Sequence, residues 1–325
     1  MTKPFEFLRA RLRGVLPRCA WSGGHEGWPI EVRSELRMLV GVVDESWPTA
    51  HPLCEKATDE CDHTRQWVSF PSRAGWNGSG WLLTPKALSR PVPAVICLPG
   101  HGAGADALVG LSEEPYQASF ALQCLRRGWV ALAVEQVSFG HNMSDEHGDD
   151  ASSCLLDSMF TLELGETMTG WRVRDAMAAA RFLRDRPEVD GSKIATLGIS
   201  GGGLTALWTA ALDESICAAG VSGYFTPMAH SILRFRHCAD NYIPGLAKVL
   251  DVPDLAGLVA PRWLAVENGT EDHIFAIEGF RSACERAREI YAAAGCSERF
   301  ASAEFEGGHL FEGSSLLAHF SEAFV

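Results

Sequence analysis

The chain has 325 residues, of which 46% are hydrophobic and 21% charged, which is typical of a globular protein with a substantial core. Its formal net charge of −13 at pH 7 argues against a nucleic-acid backbone or an anionic membrane surface as a partner. No segment approaches the roughly 18 consecutive apolar residues of a membrane span, so no transmembrane helix is expected.

The N-terminal part of the chain differs in character from the rest. Its first residues, MTKPFEFLRARLRGVL, carry positive charges without an unbroken apolar run, which predicts a short amphipathic helix rather than a signal peptide. Residues 1–62 are rich in Trp, Pro and Gly and lack a regular alternation of elements. We interpret them as an extension packed on a domain that spans residues 63–325.

The ten cysteines have scattered spacings that indicate no disulfide framework, and a reducing cytoplasm is the expected location. The segment HPLCEKATDECDH brings together His51, Cys54, Cys61 and His63, which are residue types that zinc prefers. However, their spacing matches no common zinc motif, and the proline and acidic residues suit an exposed loop. We therefore expect no metal site.

From residue 65 onward, strand-like and helical patterns follow one another. Residues 65–84 alternate in polarity and predict an antiparallel hairpin at a sheet edge. Six further strands are predicted at 93–100, 129–136, 193–200, 216–225, 262–269 and 300–309. Helices are predicted at 116–128, 173–183, 203–212 and 277–295, with another at the C-terminus. This alternation predicts an α/β fold whose mostly parallel sheet has helices on both faces. Residues 226–260 interrupt the alternation and are interpreted as an insertion near the active site.

The segment TLGISGGG (196–203) places one serine among four glycines between a predicted strand and a predicted helix. Gly198-Ile199-Ser200-Gly201-Gly202 matches the G-x-S-x-G nucleophile elbow, in which a strained turn lifts the serine hydroxyl clear of the sheet. No basic residue follows the glycines as in a phosphate-binding loop, and the dinucleotide fingerprint is absent. We interpret Ser200 as a nucleophile; an ordinary glycine turn is the alternative.

An elbow serine needs a base and an orienting acid, which follow it in the order acid, then histidine. Asp272 lies just after one predicted strand and His309 just after the last, so both are expected at the sheet edge that carries Ser200. We predict Asp272 as the acid and His309 as the base. The alternatives are Glu267 or Glu271 for the acid, and His273 or His319 for the base.

The remaining predictions concern the oxyanion hole and the substrate pocket. LPGHGAGA (98–105) follows the first buried strand, where a second oxyanion amide is expected. We assign the hole to the backbone N–H groups of Gly201 and His101, and expect the His101 side chain to line the pocket. From the insertion, Tyr242 is the predicted substrate contact, with His237 and Asp240 also within reach of the site.

Several segments resemble the α/β-hydrolase superfamily, in particular its dienelactone-hydrolase-like and acetyl-xylan-esterase-like branch. They run in order from about residue 93 to the C-terminus: LPGHGAG, RPEVDGSKIATLGISGGG, HCADNYIPGL, LVAPRWLAVENGTEDHIF and EGGHLF. The resemblance implies Ser200, Asp272 and His309 as the triad and a carboxylic ester as substrate. The chain departs from dienelactone hydrolases proper, which use cysteine as nucleophile, and Ala276 replaces a proline that often follows the acid.

The sequence therefore predicts a serine esterase that acts on a small-molecule ester and needs no cofactor. A thioesterase or acyltransferase with the same triad is the nearest alternative, and a non-catalytic ligand-binding scaffold is an alternative from another class. Neither nucleic acid nor membrane is expected as a partner, whereas a homo-oligomer is compatible with the sequence.

Overall fold

The computed structural model of the protein describes residues 3–23, 27–42, 46–144 and 150–325, with side chains in the last segment described from residue 153. The strands are β1 (Leu53–Cys54), β2 (Thr58–Asp59), β3 (His63–Arg73), β4 (Trp76–Pro85), β5 (Val92–Leu98), β6 (Val130–Glu135), β7 (Val189–Ile199), β8 (Ala218–Ser222), β9 (Trp263–Gly269) and β10 (Phe300–Phe305). The α-helices are α1 (Pro4–Arg13), α2 (Trp28–Val40), α3 (Ala105–Leu108), α4 (Phe120–Leu125), α5 (Asp150–Glu163), α6 (Met168–Arg184), α7 (Gly201–Leu212), α8 (Ala256–Val259), α9 (Ile277–Ala293) and α10 (Ser314–Ala323).

All of these strands belong to one sheet, in the order β1-β3-β4-β6-β5-β7-β8-β9-β10, with β2 paired to β3. The strands from β6 to β10 along this order run parallel. Parallel strands need crossover connections, and most of these contain helices. β3 and β4 form an antiparallel hairpin at one side of the sheet, and β4 joins β6 antiparallel. The predicted hairpin over residues 65–84 is confirmed, with Gly75 at φ 79° in its turn.

Two apolar clusters cover the two faces of the sheet. One contains side chains of α2, α6, α7 and α9, with Leu36, Val173, Leu207 and Phe280 fully or almost fully buried. The other contains side chains of α3, α4 and α10, including Leu316. Because β5 to β9 are apolar on both sides, they need helices on both faces. The predicted α/β fold class is confirmed.

The predicted helix over residues 116–128 is wrong in its extent. Pro115–Gln117 forms a 3-10 turn, and the α-helix begins only at Phe120. Ala118 and Ser119 have φ values of 51° and 43°, which a right-handed helix does not accommodate. The backbone carbonyl of Tyr116 instead accepts the N–H of Phe311, at 2.7 Å, so this turn is held by the segment that follows β10.

The N-terminal extension and the insertion pack differently from the central layers. The predicted N-terminal amphipathic helix is present as α1, but none of its residues is buried. In contrast, α2 buries Trp28, Val32 and Val40 in the core. Residues 226–260 lie between β8 and β9 and contain 3-10 turns and the short α8 but no strand. In the described ranges, no helix has the length and hydropathy needed to cross a bilayer.

Candidate active site

Ser200 occupies the sharp turn between β7 and α7. Its backbone has φ 56° and ψ −123°, a conformation that side-chain-bearing residues rarely adopt. The Ser200 N–H donates to the Ser222 carbonyl at the end of β8, at 2.9 Å, which anchors the turn to the neighbouring strand. The predicted strand–serine–helix arrangement is therefore present at the carboxyl edge of the sheet.

The glycines on either side of Ser200 permit this turn sterically. A Cβ at Gly198 would lie 2.2 Å from the Gly202 carbonyl oxygen, and one at Gly202 would lie 1.9 Å from the Leu98 carbonyl oxygen. Any larger residue would push α7 away from the ends of β5 and β7. The G-x-S-x-G spacing thus follows from close backbone packing beneath the serine.

Asp272 and His309 form a hydrogen-bonded pair. The His309 Nδ1 lies 2.7 Å from the Asp272 Oδ2, and both side chains are largely buried. The other carboxylate oxygen, Oδ1, accepts the N–H groups of Ile274 and Phe275 at 2.8 and 2.9 Å, which fixes the carboxylate in its loop after β9. Aromatic rings of Phe275 and Tyr116 stack near the imidazole, with centroids 5.5 and 6.1 Å from it.

The imidazole of His309 reaches the neighbourhood of the serine turn. A Cβ added to Gly223 would lie 2.9 Å from the His309 Cε1, and Gly223 directly follows Ser222, whose carbonyl holds the Ser200 N–H. The His309 Nε2 is buried and has no hydrogen-bond partner among the described residues. With Nδ1 engaged by Asp272, this second nitrogen is the one available for proton transfer.

The loop after β5 lies against the same turn. A Cβ added to Gly100 would lie 3.3 Å from the Ser200 Cβ, and one on Gly201 would lie 3.4 Å from the His101 Nδ1. The Gly100 N–H donates to the Gln117 Oε1 at 2.9 Å, and the Tyr116 hydroxyl donates to the His101 carbonyl. These bonds hold the loop in place. The Gly201 N–H, at the first turn of α7, has no partner within its own helix and sits beside the serine.

The side chain of His101 is part of a buried charged network. Its Nε2 lies 3.0 Å from Asp240 Oδ2, and the same oxygen accepts the Arg172 guanidinium at 2.5 Å. Burial alone would lower the pKa of His101, but the Asp240 carboxylate outweighs it and raises this pKa to about 9. Burial likewise opposes ionisation of Asp240, yet Arg172 and His101 hold its pKa well below the ordinary value.

The alternative acids and bases do not meet at this site. Glu267 accepts the backbone N–H groups of residues 312 and 313, and Glu271 is exposed. His273 is exposed as well. His319 lies 3.1 Å from the Arg299 carbonyl and packs against Trp263, on the terminal helix. Of these candidate acids and bases, Asp272 and His309 are the two that form a hydrogen-bonded pair in the described part of the chain.

The insertion brings His237 and Asp240 close to the site, and the role of Tyr242 as a substrate contact stays a prediction. The Tyr242 hydroxyl donates to the Ile232 carbonyl at 3.4 Å, within the insertion itself. His237 lies close enough to His101 and His309 to interact with both electrostatically, and burial lowers its pKa. Its ring also stands 6.3 Å from that of Phe275. His237 is thus within electrostatic range of His309, and Asp240 contacts His101.

Sequence reasoning missed Arg172, Cys154 and Tyr116. Arg172 and Cys154 come from α6 and α5, and their side chains lie 3.4 Å apart next to Asp240. Both occur in helices with no motif, so no signal in a single sequence indicates them. Tyr116 was predicted only as a helical residue.

The HPLCEKATDECDH segment does not converge on a metal site within residues 46–144, and the His63 Nδ1 pairs with its neighbour Asp62 at 2.7 Å.

Comparisons with known proteins agree with this architecture. A model of the abhydrolase family matches residues 22–294. The chain is 28% identical over 240 residues to “Putative hydrolase YtaP” of Bacillus subtilis (strain 168), which covers 70% of this chain and 77% of that protein.

Solved structures share the fold at low sequence identity. A “putative acetyl xylan esterase” from Bacteroides fragilis NCTC 9343 superposes with a TM-score of 0.80 at 19% identity, covering 98% of this chain and 89% of that chain. A glucuronoyl esterase from Teredinibacter turnerae T7901 gives 0.65 at 18% identity, covering 96% and 89%. The chain therefore belongs to the abhydrolase family and has the α/β-hydrolase fold.

Proposed function

We propose that the protein is a serine esterase that hydrolyses a small carboxylic ester through an acyl-enzyme. The observation that carries this proposal is the orientation of His309. Its Nδ1 is held by Asp272 at 2.7 Å, while its buried Nε2 has no partner among the described residues and lies beside the turn that carries Ser200. This leaves one nitrogen free to take a proton from the serine hydroxyl.

In the proposed reaction the Ser200 Oγ attacks the ester carbonyl carbon while the His309 Nε2 takes its proton. The negative oxygen of the tetrahedral intermediate accepts the N–H groups of Gly201 and His101; such donors each contribute about 3–4 kcal/mol to the transition state. The intermediate collapses, the C–O bond to the alcohol breaks, and His309 protonates the leaving alkoxide. A water molecule, deprotonated by the same histidine, then attacks the acyl carbon. The bond from this carbon to the Ser200 Oγ breaks, His309 returns the proton to the Oγ, and the acid is released.

The names of proteins that share this fold favour ester hydrolysis over acyl transfer to another acceptor. The two solved relatives described above carry esterase names, and a third, named a methylesterase, superposes with a TM-score of 0.70 at 16% identity. The first of these relatives is named an acetyl xylan esterase, so we propose a short acyl group such as acetyl. A thioesterase or acyltransferase remains the alternative, because the same groups serve either reaction.

Turnover of p-nitrophenyl acetate by matched histidine variants tests the proposal. We expect the Ser200→Ala and His309→Gln variants to lose about 10³-fold or more of kcat/KM, since each removes a member of the triad. The His319→Gln variant is the matched control and should retain wild-type kcat/KM. Turnover by His309→Gln equal to that of the control would contradict the proposal.

A substrate panel separates the esterase from its alternatives. Acetyl, butyryl and octanoyl p-nitrophenyl esters, acetylated xylose and an acetyl thioester are compared by kcat/KM. We expect oxygen esters to exceed the thioester, and acetyl to exceed octanoyl. Preferential transfer of the acetyl group to an added alcohol, rather than to water, would favour the acyltransferase instead.

A further inference from the structure

Four potential metal ligands from three separate parts of the chain converge at the loop between β5 and α3 (residues 99–104), which we call the oxyanion loop. They are His101 after β5, Cys154 in α5, and Cys238 and Asp240 in the insertion. One ligand atom from each lies within 4.8 Å of all the others. Cys154 and Asp240 are buried, whereas His101 and Cys238 are half-buried. The cluster is therefore largely shielded from solvent and is not an exposed group of acidic side chains.

The separations between these atoms suit one tetrahedral ion. Ligands bound to zinc at about 2.0–2.3 Å in a tetrahedron lie about 3.3–3.8 Å from one another. Here the Cys154 and Cys238 Sγ atoms are 3.2 Å apart, the His101 Nε2 is 3.0 Å from the Asp240 Oδ2, and the Cys154 Sγ is 4.0 Å from the same Nε2. These three separations lie within about 0.3 Å of that range, and all four ligand atoms lie within 4.8 Å of one another.

The buried Arg172 supplies the charge that such a site requires. Its guanidinium lies 2.5 Å from the Asp240 Oδ2 and 3.4 Å from the Cys154 Sγ. A divalent ion bound by two thiolates, one carboxylate and a neutral imidazole has a net charge of −1, which Arg172 balances. The ring of Phe139, 4.1 Å from the guanidinium and 4.5 Å from the imidazole, covers the cluster on one side. Such outer groups orient metal ligands and exclude water.

We propose that His101, Cys154, Cys238 and Asp240 form a structural zinc site that fixes the oxyanion loop to α5 and the insertion. Two thiolates exclude magnesium and calcium, which take oxygen ligands, and favour zinc. Four protein ligands fill the tetrahedron and leave no open position for a substrate. A disulfide between the two cysteines is the competing interpretation; it would leave His101 and Asp240 as an ion pair, whereas zinc joins all four side chains. The site departs from the sequence-based expectation of no metal.

Zinc binding to the full-length protein tests this proposal independently of activity. The protein is stripped with a chelator under reducing conditions, returned to equimolar zinc, desalted and analysed for metal. We expect one zinc per chain and a higher thermal midpoint with zinc than without it. Cys154→Ser and Cys238→Ser should each weaken zinc binding by more than the roughly 10–100-fold that loss of an outer-shell partner costs. The matched control is the double variant C54S/C61S, which removes two exposed cysteines and should bind zinc as the wild type does.

Cobalt(II) replaces zinc as a spectroscopic probe and keeps the test decisive if a cysteine variant does not fold. The wild-type protein should show tetrahedral visible bands and a near-ultraviolet band with the intensity of two thiolate ligands, and Cys238→Ser should halve that band. Three results would each overturn the proposal. The first is no retained zinc, and the second is loss of zinc only in C54S/C61S. The third is a disulfide between Cys154 and Cys238 in protein isolated without reductant, detected by mass spectrometry as the loss of two hydrogen atoms.

Discussion

At the scale of single residues, the backbone packing below Ser200 leaves no room for an added side chain. Gly202→Ala would place a methyl group 1.9 Å from the Leu98 carbonyl oxygen, so the elbow must distort. We expect this variant to lose most of its esterase turnover and about 1–3 kcal/mol of unfolding free energy, as overpacked sites do. Gly14→Ala, whose added Cβ would make only ordinary contacts, is the control and should change neither quantity.

Asp272 orients His309 and is expected to act through it. Asp272→Asn can still accept the two loop N–H groups, but its amide no longer favours the tautomer that carries a proton on the His309 Nδ1. We predict a fall in kcat of about 10³-fold or more with a smaller change in KM, measured by steady-state kinetics with p-nitrophenyl acetate. An unchanged kcat would show that His309 is oriented by another group.

Glu267 makes stability depend on pH. Burial raises the pKa of its carboxyl group to about 7, although the N–H groups of residues 312 and 313 oppose this shift and the nearby Glu312 adds to it. Between pH of about 4.5 and 7 the unfolded chain releases this proton while the folded chain keeps it. The contribution of Glu267 to the free energy of unfolding should therefore fall as pH rises through that window and then level off.

Denaturant titrations at pH 5, 6, 7 and 8 test this prediction. The Glu267→Gln variant should show a shallower decline of unfolding free energy across the window, since it no longer titrates. Glu306→Gln, at an exposed position, should leave the slope as in the wild type. An identical slope in Glu267→Gln would contradict the assignment.

At the scale of elements, the two N-terminal helices should contribute unequally to stability. None of the residues of α1 is buried, whereas Leu36 of α2 is fully buried in the core. Deleting residues 4–13 should change the unfolding free energy by less than about 1 kcal/mol. Leu36→Ala should cost about 2–5 kcal/mol, because it leaves a cavity. A deletion as costly as the core substitution would contradict this view of α1.

The strands could be predicted from the sequence more reliably than the irregular segments. Buried parallel strands read as continuous apolar runs, and their order along the chain was predicted together with the hairpin. The break in the helix at Ala118 and Ser119 could not be predicted, because neither residue type signals a positive φ. The turns of residues 226–260 are held by tertiary contacts, which no local pattern encodes.

At the scale of the whole molecule, the extension and the sheet should unfold together. The Arg33 side chain in α2 donates to the carbonyls of Ala211 and Leu258, at 2.9 and 3.3 Å, and β1 and β2 pair with β3 of the sheet. We predict coincident denaturant transitions by tryptophan fluorescence and far-ultraviolet circular dichroism. Two separated transitions would show that residues 1–62 form an independent unit.

The global topology also explains how much of the site could be predicted. Parallel strands end at one edge, so Ser200, Asp272 and His309 could be assigned from their places after β7, β9 and β10. The contacts of Arg172 and Cys154 depend instead on how α5 and α6 pack beside the insertion. Such helix-to-loop contacts have no sequence pattern, and they come only from the assembled structure.

Labelling with a fluorophosphonate, followed by peptide mass mapping, tests the central claim most directly. The account predicts one covalent adduct per chain, on Ser200, with no labelling of the Ser200→Ala variant and much slower labelling of His309→Gln. An adduct on any other residue, or labelling of His309→Gln at the wild-type rate, would contradict the assignment of Ser200 as a nucleophile activated by His309.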